Sequence, residues 1–105
     1  MQDLKKFSIC DELRGLIRVA IYLEIKDGCL KMSGGEYDST GEIEYTCSLD
    51  KPNTERLIKL LSEEDADLQS CLTKKFGGAL GFAKLKGFCQ LNKIPYHFSD
   101  WVSRY

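Results

Sequence analysis

Leu23-Glu24-Ile25-Lys26-Asp27-Gly28-Cys29-Leu30-Lys31-Met32 is the stretch that decides how this chain folds. At its centre, Asp27-Gly28 suits a two-residue type I′ turn, because both central residues of that turn need positive φ. Folding about the turn sets Ile25 opposite Leu30, Glu24 opposite Lys31 and Leu23 opposite Met32. One face of the hairpin is then apolar, and the other carries an opposite-charge cross-strand pair. A slip of one residue would reverse every side chain, so register and chemistry support each other.

Upstream, Val19 and Ile21 continue the apolar face, and residues 5–10, with Phe7 and Ile9, read as a short strand before a turn-like 11–15. Downstream, Ser33-Gly34-Gly35 and Ser39-Thr40-Gly41 read as the punctuation of a loop. Residues 42–49 then alternate, with Ile43, Tyr45, Cys47 and Leu49 inward and Glu42, Glu44, Thr46 and Ser48 outward. Such alternation is the mark of a half-buried antiparallel strand.

The period changes at Asp50-Lys51-Pro52. Asp50 is a helix cap, and Pro52 falls in the first turn, where a missing N–H costs little. Leu57, Ile58, Leu60 and Leu61 share one helical face. Ser62 with Glu63, Glu64 and Asp65 reads as a second helix start, its acids set against the positive end of the helix dipole. Leu68, Cys71, Leu72 and Phe76 keep helical spacing up to Gly77-Gly78. A third helix, about 79–92, presents Phe82, Leu85, Phe88, Cys89 and Leu91, and Gly81 and Gly87 weaken it by about 1 kcal/mol each. Residues 94–98 alternate as a closing strand with Ile94, Tyr96 and Phe98 inward, and Pro95 suits a sheet edge. Strands first and helices after give α+β: an antiparallel sheet of about four to five strands with two to three helices packed on one face.

With 105 residues and 43 % apolar content, the chain forms one globular domain, 1–105, around its own core. The run 16–25 is broken by Arg18 and Glu24 and is too short to span a bilayer. The first residues lack the apolar core of a secretory signal, so a cytoplasmic location is expected. Cys10, Cys29, Cys47, Cys71 and Cys89 are spaced about twenty residues apart with no CxxC pair. That argues against a disulfide framework or a zinc site and for reduced, mostly buried thiols. No metal and no cofactor is expected.

A near-neutral net charge of −1 hides a split. Residues 1–67 hold nine Lys/Arg against fifteen Asp/Glu, whereas 68–105 hold six against the single acid Asp100. Each half offers a surface. In the basic half, Lys74, Lys75, Lys84, Lys86 and Lys93 interleave with Phe76, Phe82 and Phe88, which suits phosphate neutralisation and base stacking. The same spacing equally suits core phenylalanines with solvated lysines beside them, and Arg104 is the only arginine there. In the acidic half, Glu42 and Glu44 share a strand face about 7 Å apart. A glycosidase-like pair of carboxyls needs a cleft, which an open strand face does not supply. The acids are either a solvated face or a docking strip for a basic protein, in which Tyr37 and Tyr45 would serve as hot spots. Trp101 is either a cover for the core or a partly exposed anchor.

Nucleophilic catalysis has little to work with. His97 is the only histidine, and alternation turns it outward, away from inward Cys47. Gly77-Gly78-Ala79-Leu80-Gly81-Phe82-Ala83-Lys84 follows a helix and lacks the Gly-Lys-Ser/Thr of a P-loop, so it reads as a helix stop and a tight turn. No enzymatic activity is expected.

Asp11-Glu12-Leu13-Arg14-Gly15-Leu16, the Asp27-Gly28 hairpin, Glu44-Tyr45, Ser48-Leu49-Asp50, Asn53-Thr54-Glu55-Arg56-Leu57 and Leu60-Leu61 form one pattern with later segments. Those are Lys75-Phe76-Gly77, Phe88-Cys89, Asn92-Lys93-Ile94-Pro95-Tyr96-His97-Phe98 and Ser99-Asp100-Trp101. The pattern covers most of the chain and resembles small bacterial immunity proteins associated with polymorphic or contact-dependent toxins. It departs from them by an inserted Asp100 before Trp101. The resemblance implies stoichiometric inhibition of a toxin, such as a nuclease with a basic site. The expected docking residues are Glu36, Tyr37, Asp38, Glu42, Glu44 and Trp101. A nucleic-acid-binding module using the basic half is the alternative.

Overall fold

The computed structural model describes residues 3–61 and 67–104, so the helix start read at Ser62 to Asp65 lies outside the described residues. Four strands come first: β1 (Leu4–Arg14), β2 (Ile17–Lys26), β3 (Cys29–Asp38) and β4 (Gly41–Ser48). Three helices follow, α1 (Lys51–Leu61), α2 (Leu68–Phe76) and α3 (Gly81–Leu91), and β5 (His97–Arg104) closes the order. The sheet runs β1-β2-β3-β4-β5 in space, antiparallel throughout. This is the expected α+β architecture.

The central hairpin has the expected register, with Ile25 paired to Leu30, Glu24 to Lys31 and Leu23 to Met32. Asp27 and Gly28 take φ of 54° and 80°, as a type I′ turn requires. The turn's amides are satisfied from outside, because Asp27 N and Gly28 N donate to the Asp3 carboxylate at 2.8 and 3.1 Å. Those two N–H donors hold the Asp3 carboxyl below the usual carboxylate range.

Three strands are longer than their residues suggest. β1 continues through the expected turn at 11–15, because Asp11 to Arg14 pair with Ala20 to Ile17. The Arg18 guanidinium donates to the Asp11 carboxylate at 3.1 and 3.2 Å, so a charged segment serves as a strand and only Gly15-Leu16 turn. β3 runs straight through Gly34-Gly35 rather than looping there. β5 begins at His97 and reaches Arg104, past the expected end at residue 98, while buried Ile94 precedes it outside the ladder. Pro95 has no N–H to give, so the ladder starts beyond it.

Helices cover one face. Asp50 caps α1, accepting from Asn53 N at 3.0 Å. Buried Thr54 ties that helix to the hairpin: its hydroxyl accepts from Leu30 N at 2.9 Å and donates to Leu49 O at 3.2 Å. Asp67 caps α2, accepting from Ser70 N at 2.8 Å. The glycine-rich segment stops α2 as expected. Gly77 N donates to Thr73 O, positive φ falls at Gly78, and Gly78 N donates to Ile9 O on β1 at 2.9 Å. The core gathers Ile21, Leu23, Ile25, Leu30 and Met32 under Leu57, Leu72, Phe76 and Leu85. Leu91 departs from its expected place. It is 83 % exposed at the last turn of α3, and Leu60 is also exposed.

Candidate functional site

The helix-free face of the sheet can be built row by row from the register. Leu13, Arg18, Tyr37, Glu42 and Ser103 form one row across β1 to β5. Asp11, Ala20, Gly35, Glu44 and Trp101 form the next, and Ser8, Tyr22, Ser33, Thr46 and Ser99 the one after. Alternation along each strand keeps these side chains on one side of the sheet. Ala20 and Gly35 contribute almost no side chain, so a shallow floor lies between the Tyr22 and Tyr37 rows, with Glu44 and Trp101 at one side.

Four of the six expected docking residues meet on this face. Trp101 is 58 % exposed and stands opposite Glu44, while Tyr37 stands opposite Glu42. Burial pushes the Tyr37 phenol above its ordinary value, and the Glu44 and Glu42 carboxylates push it further. Their field therefore reaches the phenol, and Arg18 opposes it from β2.

The structure does not bring the other two there. Glu36 lies on the helix side, where it accepts from the Tyr45 hydroxyl at 3.0 Å. Asp38 is spent in the β3–β4 turn, accepting from Thr40 N, Thr40 Oγ1 and Gly41 N at 2.7–3.2 Å. Tyr45 is a core-packing residue, its ring 5.4 Å from Phe82 and 6.0 Å from Phe98. Beside Glu36 a cleft of about 230 Å³ opens between Val19, Tyr45, Leu80 and Phe82. Sequence reasoning missed Arg18, Ala20, Tyr22 and Gly35 on the open face. Counting alternate residues outward from Glu24, on the polar face of the hairpin, finds the first three.

Three of the six basic residues of the second half are engaged within the molecule. Lys86 Nζ sits 3.9 Å from the Phe98 ring centroid, and Lys75 Nζ 5.4 Å from that of Phe88. Lys84 Nζ donates to Gly77 O at 2.6 Å, at the end of α2. Phe76 and Phe82 are buried. The aromatics that would stack on bases serve the core instead.

His97 opens β5 opposite Ser48 on the open face, away from Cys47, whose partner across the ladder is Phe98. Cys10, Cys47 and Cys89 are buried, Cys71 is half-buried and Cys29 is exposed, and no disulfide links the five. Burial pushes the Cys47 thiol up to about 12 and the Cys89 thiol up to about 11, the reverse of what a thiolate nucleophile needs. The sign for stability follows from the ordinary thiol value of 9.0. The folded chain retains protons that the unfolded chain releases as pH rises above 9.0, so stability is full below that point and falls through the window up to about 12. Urea midpoints measured across pH should be level on the neutral side and drop steeply on the alkaline side, with a shallower drop in Cys47→Ala. An equal slope in that variant would assign the loss to other groups. The Tyr45 phenol, also raised by burial, adds in the same direction.

Compared with known proteins, the chain matches no family model, no curated protein and no solved structure.

Proposed function

We propose that the protein is a stoichiometric binding protein whose helix-free sheet face docks a basic protein partner. The observation that carries this reading is the pairing of Trp101 with Glu44 and of Tyr37 with Glu42 in adjacent rows of one open face. Carboxylates accelerate encounter with a cationic surface, and large aromatics beside them supply affinity once water is excluded. The sequence pattern that resembles bacterial immunity proteins supports a toxin domain as that partner, such as a nuclease whose basic site is built for phosphate. Glu42 and Glu44 then occupy the place of backbone phosphates, and inhibition needs no chemistry from this chain. A cytoplasmic location belongs to the same proposal. Among the described residues no helix is long and apolar enough to cross a membrane.

The test screens basic toxin nuclease domains for binding and follows association with one that binds by stopped flow. The double reversal Glu42→Lys and Glu44→Lys is expected to slow association at low salt by at least about tenfold. The loss should shrink as salt is raised, because screening already removes part of the attraction. Thermal stability should hardly change, since both side chains are surface groups. Association as fast as that of the unaltered protein would remove this face as the docking surface. Salt-sensitive binding to generic DNA or RNA at about 50 mM salt would transfer the function to the basic half.

A further inference from the structure

The two edges of the sheet are treated differently. β1 carries two register irregularities, between Leu4 and Phe7 and between Ser8 and Cys10. It also bears Lys5, Lys6, Asp11, Glu12 and Arg14, and Gly78 N occupies its Ile9 carbonyl. Bulges, charges and a covering loop are the usual devices that stop an edge from recruiting another strand. β5 has no register irregularity and, among the described residues, no loop hydrogen-bonded to it, and its only charged residues are Asp100 and Arg104. Its eight residues pair in unbroken register with β4, contain no proline, and run along the free margin of the sheet. Every second residue of such an edge directs its N–H and C=O outward. Trp101 and Val102, two of the larger exposed apolar side chains, stand in the middle of this segment, Val102 being 50 % exposed.

We infer that β5 pairs antiparallel with β5 of a second copy of this chain, joining two five-stranded sheets into one sheet of ten strands. The charges on the strand select the second copy over a foreign strand and also set the register. A two-fold axis through Val102 places Val102 against itself. It places Asp100 opposite Arg104 of the second copy, and Arg104 opposite Asp100. Both residues share the helix-side face with Val102, because Asp100 pairs with Tyr45, Val102 with Ile43 and Arg104 with Gly41. Asp100 and Arg104 are exposed, and among the described residues neither is in an ion pair. Opposite charges directly across an antiparallel ladder attract, whereas like charges there repel. The axis forms the pair twice.

On the open face the same register sets Trp101 opposite Ser103 of the second copy, so the indole stays available on that side. The two acidic-aromatic patches then flank the axis on one continuous face. The inference stands apart from the identity of any partner. Its ladder is short, so the association is weak and dependent on concentration.

Sedimentation velocity over about 10 µM to 1 mM tests it. The unaltered chain should pass from 11.9 kDa toward twice that mass as concentration rises. Asp100→Arg alone and Arg104→Asp alone should each shift the protein back to monomer, because each sets like charges across the axis twice. The double variant Asp100→Arg/Arg104→Asp should restore the dimer with the charges exchanged. Circular dichroism of all three variants should match that of the unaltered chain. A monomer at every concentration overturns the inference. A dimer insensitive to the single changes overturns it too, as does a folded double variant that remains monomeric.

Discussion

Replacing Gly35 by valine is expected to cost at least about 3 kcal/mol, a large share of the about 5–15 kcal/mol by which a domain is ordinarily stable. The reason is backbone contact. A Cβ at position 35 would fall on the Ile43 carbonyl oxygen and lie 3.0 Å from Glu44 Cα, both belonging to the main chain of β4. A main chain pinned in a ladder on both sides cannot yield as the end of a flexible side chain can. Gly34 is similarly close to β2, its Cβ falling on the Ala20 carbonyl oxygen. Gly87 provides the contrast within the same chain. A Cβ there meets nothing within 4 Å inside α3, so Gly87→Ala should stabilise by about 1 kcal/mol. Denaturant midpoints of the two variants should therefore move in opposite directions. A Gly35→Val protein as stable as the unaltered chain would mean that β3 and β4 separate at this point without cost.

The same glycines explain where the sequence could be read and where it could not. Strand faces are deduced by counting alternate side chains. That count succeeds from Leu23 to Met32 and again from Glu42 to Leu49, where apolar and polar residues interchange. Gly34-Gly35 has no side chains to alternate and carries the composition of a turn, so the count stops there and the segment resembles a loop. Glu36, Tyr37 and Asp38 then look like three neighbours on one surface. In the folded sheet the count passes through the glycines. It sends Tyr37 to the open face, Glu36 to the Tyr45 hydroxyl and Asp38 into its own turn. Glu42 and Glu44 were legible because their strand alternates by itself. Trp101 was legible only as a choice between core and surface, since Ser99, Asp100 and Ser103 disguise β5 as coil. Pairing with β4 overrides their weak strand preference.

The charge split along the chain has a different meaning in three dimensions. Most lysines of the second half lie on helix surfaces, and several complete the helical layer itself by covering Phe88 and Phe98 or by closing the end of α2. The acids of the first half separate according to what they bond. Asp3, Asp38, Asp50 and Asp67 satisfy backbone N–H groups, and Asp11 holds Arg18. Glu42 and Glu44 do neither. Carboxylates that perform no structural task on an open face, beside half-buried Tyr37 and exposed Trp101, are the ones available to a partner.

Phe76→Ala tests whether the helical layer and the docking face are separable, and a loss of about 3–5 kcal/mol is expected. Phe76 is wholly buried at the end of α2 and meets Phe88 of α3 edge to face, with ring centroids 5.7 Å apart at 84°. Its removal takes away the apolar area of the ring and leaves a cavity that the surroundings close only in part. The neighbours are poorly placed to collapse, because Gly78 N is bonded to Ile9 O and Gly81 lies against the Phe76 carbonyl. A melting point lower by about 4–8 °C for each kcal/mol should follow. Leu91→Ala, at an exposed helix position, should change stability by no more than about 0.5 kcal/mol. The loss at Phe76 is confined to the helix side of the sheet, while Glu42, Glu44 and Trp101 occupy the opposite side. Below its melting point the variant should therefore associate with a partner as fast as the unaltered protein, molecule for molecule folded. Slower association by the fully folded variant would show that the open face depends on the helices for its shape. A stability loss below about 1 kcal/mol would show instead that α2 is not part of the cooperative core.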